Sequence, residues 1–176
     1  VSSDKGLCGS TNNMITRMLL KQDLSDQGLI VWGDKGCGAF EASKYRANVA
    51  FSAHPDVKSP VSFIDTSAFV DKVLASGEEY DLIRIVYNRM VRPGISDIFQ
   101  MYVPTLKTLL GQDGFEQVSV PFEIEAHSAN ELFANLHEFH LSAAMNYCNY
   151  HNQAVEMFNR RNSMDNASKN AKEIGQ

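Results

Sequence analysis

No run of this chain approaches the roughly 18 apolar residues that a membrane-crossing helix needs, so none is expected within its 176 residues. Basic charge is also in short supply. Sixteen Lys and Arg stand against 21 Asp and Glu, a net charge of −5 with no block of one sign, and that leaves no positive field for nucleic acid. Cysteine is scarce: Cys8, Cys37 and Cys148 are odd in number and never spaced C-x-x-C. That excludes a disulfide framework and a zinc knuckle, and it suits a reducing compartment. An initiator Met and a signal or transit segment are missing as well. Residue 1 sits in what reads as the end of a strand, so a fragment without its natural N-terminus is expected.

The patterns that carry catalysis are thin too. Gly33 to Gly38 begins like a phosphate loop but continues Ala39-Phe40, where the chemistry needs a lysine and a hydroxyl for phosphate and magnesium. Its glycines are also in the reverse order for a dinucleotide fingerprint, so a plain turn is expected. Cys8 stands near a helix start with Lys5 close by, which would favour a thiolate, yet no histidine accompanies it. His137 and His140 lie one turn apart with His151 further on, but no third or fourth metal ligand can be named. Asp4, Asp34, Glu78 and Glu79 show no spacing suited to paired acid and base work. No catalytic residue, cofactor site or metal site is therefore assigned.

What is present is an ordinary globular composition, 44% hydrophobic and 21% charged, with room for one domain and an appended element. Asn12 to Leu24 carries Met14, Ile15, Met18 and Leu19 on one helical face, and Leu29 to Trp32 is a short buried-strand run between Gly28 and Gly33. A helical Ala39 to Tyr45, a strand Val49 to Phe51, a helix Ser67 to Leu74 and a strong strand Tyr80 to Met90 follow. Beyond Pro93-Gly94 come an extended Ile98 to Val103, a helical Thr105 to Leu110, and Val118 to Ile124, where Pro121 argues for an edge. Strands alternating with helices predict an α/β fold with some parallel pairing.

From Ser128 the texture changes. Ser128-Ala-Asn-Glu131 reads as a capping box, and residues 129 to 174 contain neither Gly nor Pro. A helix of that length would run roughly 70 Å, about twice what the core of so small a domain covers. Alternate steps of three and four from Phe133 give Leu136, His140, Ala143, Tyr147, Tyr150, Ala154, Met157, Arg161, Met164, Ser168 and Ala171. This seam is apolar early and small or polar late, and it implies one partner helix. The expected division is therefore 1–127 for the α/β domain and 128–176 for the helix.

Two separated motifs resemble one family. Asp4-Lys-Gly-Leu-Cys-Gly9 with Asn12 is similar to the SDRGLCG…N segment of the gamma subunit of rotary F-type ATP synthases, and Met164 to Ala171, MDNASKNA, to its MDNATKNA. Gly33-Asp-Lys-Gly36, Ile85-Val-Tyr-Asn88, and Glu156 with Arg160 resemble further segments of that family. The resemblance implies a Rossmann-like domain with a mixed, largely parallel sheet, followed by a long C-terminal helix forming half of a coiled coil. The N-terminal helix and C-terminal tip would be absent.

It also implies a non-catalytic central-stalk rotor that couples proton-driven rotation to ATP synthesis. Its partners would be the alpha and beta subunits, the small delta and epsilon subunits and the membrane c-ring, on the matrix side of the mitochondrial inner membrane. By position, Lys5, Cys8, Asn12, Arg160, Met164, Asn166, Lys169 and Asn170 would lie near the beta subunits. A free-standing α/β ligand-binding or enzyme domain with an oligomerisation helix, or a scaffold paired with an unrelated protein, fits the same run of elements.

Overall fold

The computed structural model describes residues 1–6, 8–54, 61–76, 80–92, 94–111 and 129–175. The chain runs α1 (Thr11–Leu20), β1 (Leu29–Trp32), α2 (Asp34–Glu41), a 3-10 turn (Arg46–Asn48) and β2 (Val49–Ala53). It continues with α3 (Phe63–Ala75), β3 (Leu82–Arg92), β4 (Ile95–Pro104), α4 (Leu106–Leu110) and α5 (Ala129–Ile174). The fold is mixed α/β with a parallel strand pair and a long C-terminal helix. The capping box at Ser128 and the strand expected at 118–124 lie outside the described residues.

Two boundaries moved for local reasons. α1 stops at Leu20 rather than Leu24, because Gln22 N–H closes onto Leu19 O (3.0 Å) and Asp23 then accepts from the Ser25 N–H (3.1 Å). A side chain that bonds two residues ahead starts a turn in place of another helical bond. α2 begins at Asp34, inside the glycine segment expected to be a plain turn, and ends at Glu41. Packing overrides the poor helix propensity of glycine there.

β1 and β2 pair in parallel, Ile30 opposite Phe51 and Trp32 opposite Ala53, with an irregularity between Leu29 and Ile30. α2 and the turn make the crossover. β3 and β4 form a second two-stranded sheet joined through Gly94 at φ 88°, a link short enough to require antiparallel strands. The opening residues tie the two sheets together. Val1 N donates to Val86 O (2.9 Å) on β3, and Ser2 N donates to Trp32 O (2.8 Å) on β1.

The described chain divides into two compact units, 1–61 with 86–100 and 147–176, and 62–85 with 101–146. In the first, Leu24, Val31, Cys37, Phe40 and Tyr45 form a core flanked by Leu19, Leu20, Leu29 and Val49. Tyr45 Oη donates to Gln22 O (2.9 Å), so the phenol tip is satisfied where its ring is buried. In the second, α3 opens on a Ser62–Asp65 capping box and buries Thr66, Phe69, Val70 and Val73. Thr105 and Thr108 both hydrogen-bond to Asp81 O, at 3.2 and 2.7 Å, and so pin the start of α4.

Ser2 decides how β1 turns into α2. Gly33 has φ 100°, and a Cβ there would lie 2.3 Å from Ser2 O; one on Gly36 would lie 2.6 Å from Ser2 Oγ. Gly33→Ala should therefore lower unfolding free energy by about 3 kcal/mol or more in denaturant titration, combining backbone strain with a clash against main chain.

Candidate subunit interface

The opening turn is knitted by short polar side chains. Gly9 adopts φ 64°, and Thr11 Oγ1 donates to Cys8 O (2.7 Å) as the chain enters α1. Asn12 Oδ1 accepts from Ser3 N (2.9 Å), while its amide donates to Ser3 Oγ (2.7 Å) and Cys8 Sγ (3.4 Å). Cys8 and Asn12 thus spend their side chains inside the turn and shape it, whereas Lys5 is exposed on it. The Cys8 thiol faces Lys5 O (3.5 Å) and Ser3 Oγ (3.6 Å).

The structure joins acids that sequence spacing keeps apart. Asp4 Oδ1 accepts from Asp34 N (3.0 Å) at the start of α2, and Asp34 Oδ1 meets His54 Nδ1 at 2.9 Å. The Asp4 carboxyl is held above its usual range, first by burial and then by the charges of Asp34 and Glu156 against the pull of the Asp34 N–H. Its role here is a cap on α2. His137 is buried with Nε2 3.0 Å from Pro104 O, while His140 is exposed.

α5 has two distinct faces. His137, Leu141, Ala144, Met145, Cys148, Asn152 and Val155 are buried along one stripe, at helical spacing. The seam identified from sequence lies on another face: Leu136, Tyr147, Tyr150, Met157 and Met164 are between 42% and 62% exposed. A stripe of large apolar side chains left open over that length marks an interaction surface.

Its environment grades along the helix. Tyr147 and His151 stack edge-on at 4.5 Å, with Tyr87 6.3 Å and 6.1 Å from the two rings and Phe99 6.3 Å from Tyr87. Burial and then the Arg89 charge hold His151 below its ordinary value. Sequence reasoning missed this cluster, although the i, i+4 spacing of Tyr147 and His151 could have signalled it. One turn on, Arg160 pairs with Glu156, both largely covered. Met164, Asn166, Lys169 and Asn170 are all exposed.

A family model described as ATP synthase matches residues 1–176. The chain belongs to the ATP synthase family.

Among curated relatives it is similar to the mitochondrial gamma subunit of Drosophila melanogaster, 28% identical over 99% of this chain and 57% of that protein. The mitochondrial gamma subunit of Pichia angusta is 31% identical over 99% and 62%, and the gamma chain of Chloroherpeton thalassium 30% over 99% and 62%. The chain thus spans about three-fifths of the length of the relatives it matches. Among solved structures, a chain of the central stalk and c-ring of Tetrahymena thermophila mitochondrial ATP synthase shares its fold with a TM-score of 0.81. It is 23% identical and covers 96% of this chain and 74% of that one.

Two buried thiols give a test. Burial, with a smaller push from Glu41 and Asp34, raises Cys37 to about 11, and burial raises Cys148 to about 12, from an ordinary value of 9.0. Above pH 9 the unfolded thiols ionise while the native ones do not, so unfolding releases protons and stability must fall as pH rises. Denaturant midpoints should drop between pH 9 and 10.5, and less steeply in a Cys37→Ala/Cys148→Ala variant. Neither thiol should react with an aromatic disulfide reagent before the chain unfolds.

Proposed function

We propose that this chain is a central-stalk rotor subunit of an F-type ATP synthase, non-catalytic itself, coupling proton-driven rotation to ATP synthesis in a hexamer of alpha and beta subunits. The observation that carries this reading is the match of the whole chain to the family and to gamma subunits. The exposed seam on α5 supports it, since a shaft needs a second helix on that face. Residues 1–127 serve as the foot and 128–176 as half of the shaft. The foot meets the delta and epsilon subunits and the c-ring, at the matrix side of the mitochondrial inner membrane.

A rotor performs no bond chemistry. Three identical nucleotide sites become unequal only if an asymmetric shaft touches each differently, so that angle and affinity share one free energy. Lys5, Arg160, Met164, Asn166, Lys169 and Asn170 form the surface near the beta subunits, on a turn that Cys8 and Asn12 shape from inside. Asn166 and Asn170 are small and polar, and the exposed seam there offers no large apolar knob beyond Met164, which favours sliding contact over a locked one.

Charge reversal tests the surface. With Arg160→Glu and Lys169→Glu in the complete complex, ATP hydrolysis should persist while ATP-driven proton pumping in membrane vesicles falls at least threefold. Unchanged pumping would remove these two residues from the proposed surface. Failure of the chain to co-purify with alpha and beta subunits would remove the rotor reading itself.

A further inference from the structure

Within the first unit, α5 is held by a polar contact that packing does not require. Thr11, Asn88 and Asn152 are each at most 2% exposed and come from three elements: the start of α1, β3 and α5. Asn88 Nδ2 donates to Asn152 Oδ1 (2.9 Å) and lies 3.4 Å from Thr11 O. Two turns along α5, Asn159 Nδ2 donates to Thr11 Oγ1 (2.8 Å), whose own proton goes to Cys8 O. Every bond joins groups far apart in sequence except the last.

The apolar side chains near these anchors specify the placement of the helix less sharply than a directional bond does. Cys148 and Val155, on the same buried stripe, are small and apolar, and the burial that holds them is non-directional. The amides are different. A slip of one turn in one direction carries Val155 or Glu156 to where Asn152 meets Asn88; in the other it can bring Asn149 there but puts Val155 or Glu156 where Asn159 meets Thr11, so either way one of the two contacts loses its partner. The i, i+7 spacing of Asn152 and Asn159 opposes both rotation and translation, as a single buried Asn does in a coiled coil.

We propose that Asn88, Asn152, Asn159 and Thr11 are positioning residues forming a register lock, which fixes the axial and angular setting of α5 on β3 and the opening turn. Under the rotor reading, on which this consequence alone rests, the lock carries torque between foot and shaft without slip. Close approach supports it. A Cβ on Gly9 would stand 3.9 Å from Asn159 Cβ, and one on Gly94 3.7 Å from Phe158 Cζ.

The test separates the lock from mere stability. Asn88→Leu with Asn152→Leu removes both partners at nearly constant volume, so most of the stability should remain, whereas Asn152→Leu alone strands Asn88 and should lower Tm by several degrees. In the full chain within its complex, spin labels at Arg92→Cys and Asn162→Cys, both exposed sites, should report one narrow distance. The double leucine variant should show a broadened distribution or a second population displaced by about 5 Å, one helical turn.

Thr11→Val with Asn159→Leu is an independent pair with the same expected outcome, should the first pair not fold. A single narrow distance retained in either folded pair overturns the lock. ATP-driven pumping reduced at least threefold with hydrolysis intact would extend the lock to torque. A displaced helix with unchanged pumping would keep the lock and reject its role in rotation, which distinguishes the two readings.

Discussion

Ser2 against Gly33 and Gly36 is the contact on which the rest of the first unit depends. Its main-chain N–H pairs with Trp32 O, its hydroxyl accepts from Gly36 N (2.9 Å), and its carbonyl occupies the space that a side chain on Gly33 would fill. Because Ser2 is fixed on β1, Val1 beside it reaches Val86 O on β3, and the two separate strand pairs are linked through these two residues. Ser3, next in line, receives the Asn12 side chain, so the opening turn closes on the same anchor. A side chain at either glycine would collide with Ser2 where it now sits.

Dependence then passes outward to α5. The turn presents Thr11 and β3 presents Asn88, and the helix meets both with amides, Asn152 within its buried stripe and the half-buried Asn159 beyond its end. Apolar burial supplies most of the attraction at such a surface, but it is non-directional. Directional polar bonds choose among the placements that burial allows. A long helix with two faces therefore has one face settled by its own chain and another, bearing Tyr147, Tyr150, Met157 and Met164, open to a partner.

That division of labour suits a family whose relatives are gamma subunits. Under the proposed rotor reading, a shaft must hold its foot rigidly and offer a changing surface elsewhere. After Glu156 and Arg160 the helix carries no large buried group, and the Arg161–Asp165 pair is well exposed and wide at 3.9 Å, which makes it worth little to stability.

The α/β alternation, the length of α5 and the existence of an open seam were legible in the sequence, because each follows from local rules: apolar period, the absence of Gly and Pro, and steps of three and four. The two terminal motifs pointed to the family. The start of α2 within the glycines was not legible, since helix propensity argues against it and only the proximity of Ser2 explains it.

Nor was the pairing of Asp4 with Asp34 and His54, or the buried face of α5 with Asn152 and Asn159. The sequence by itself determined which segments are regular and that the last of them needs company. Tertiary structure alone decided which face of the helix the domain takes, because that choice rests on polar groups brought together from positions 64 and 148 residues apart. No periodicity within one segment encodes such a meeting.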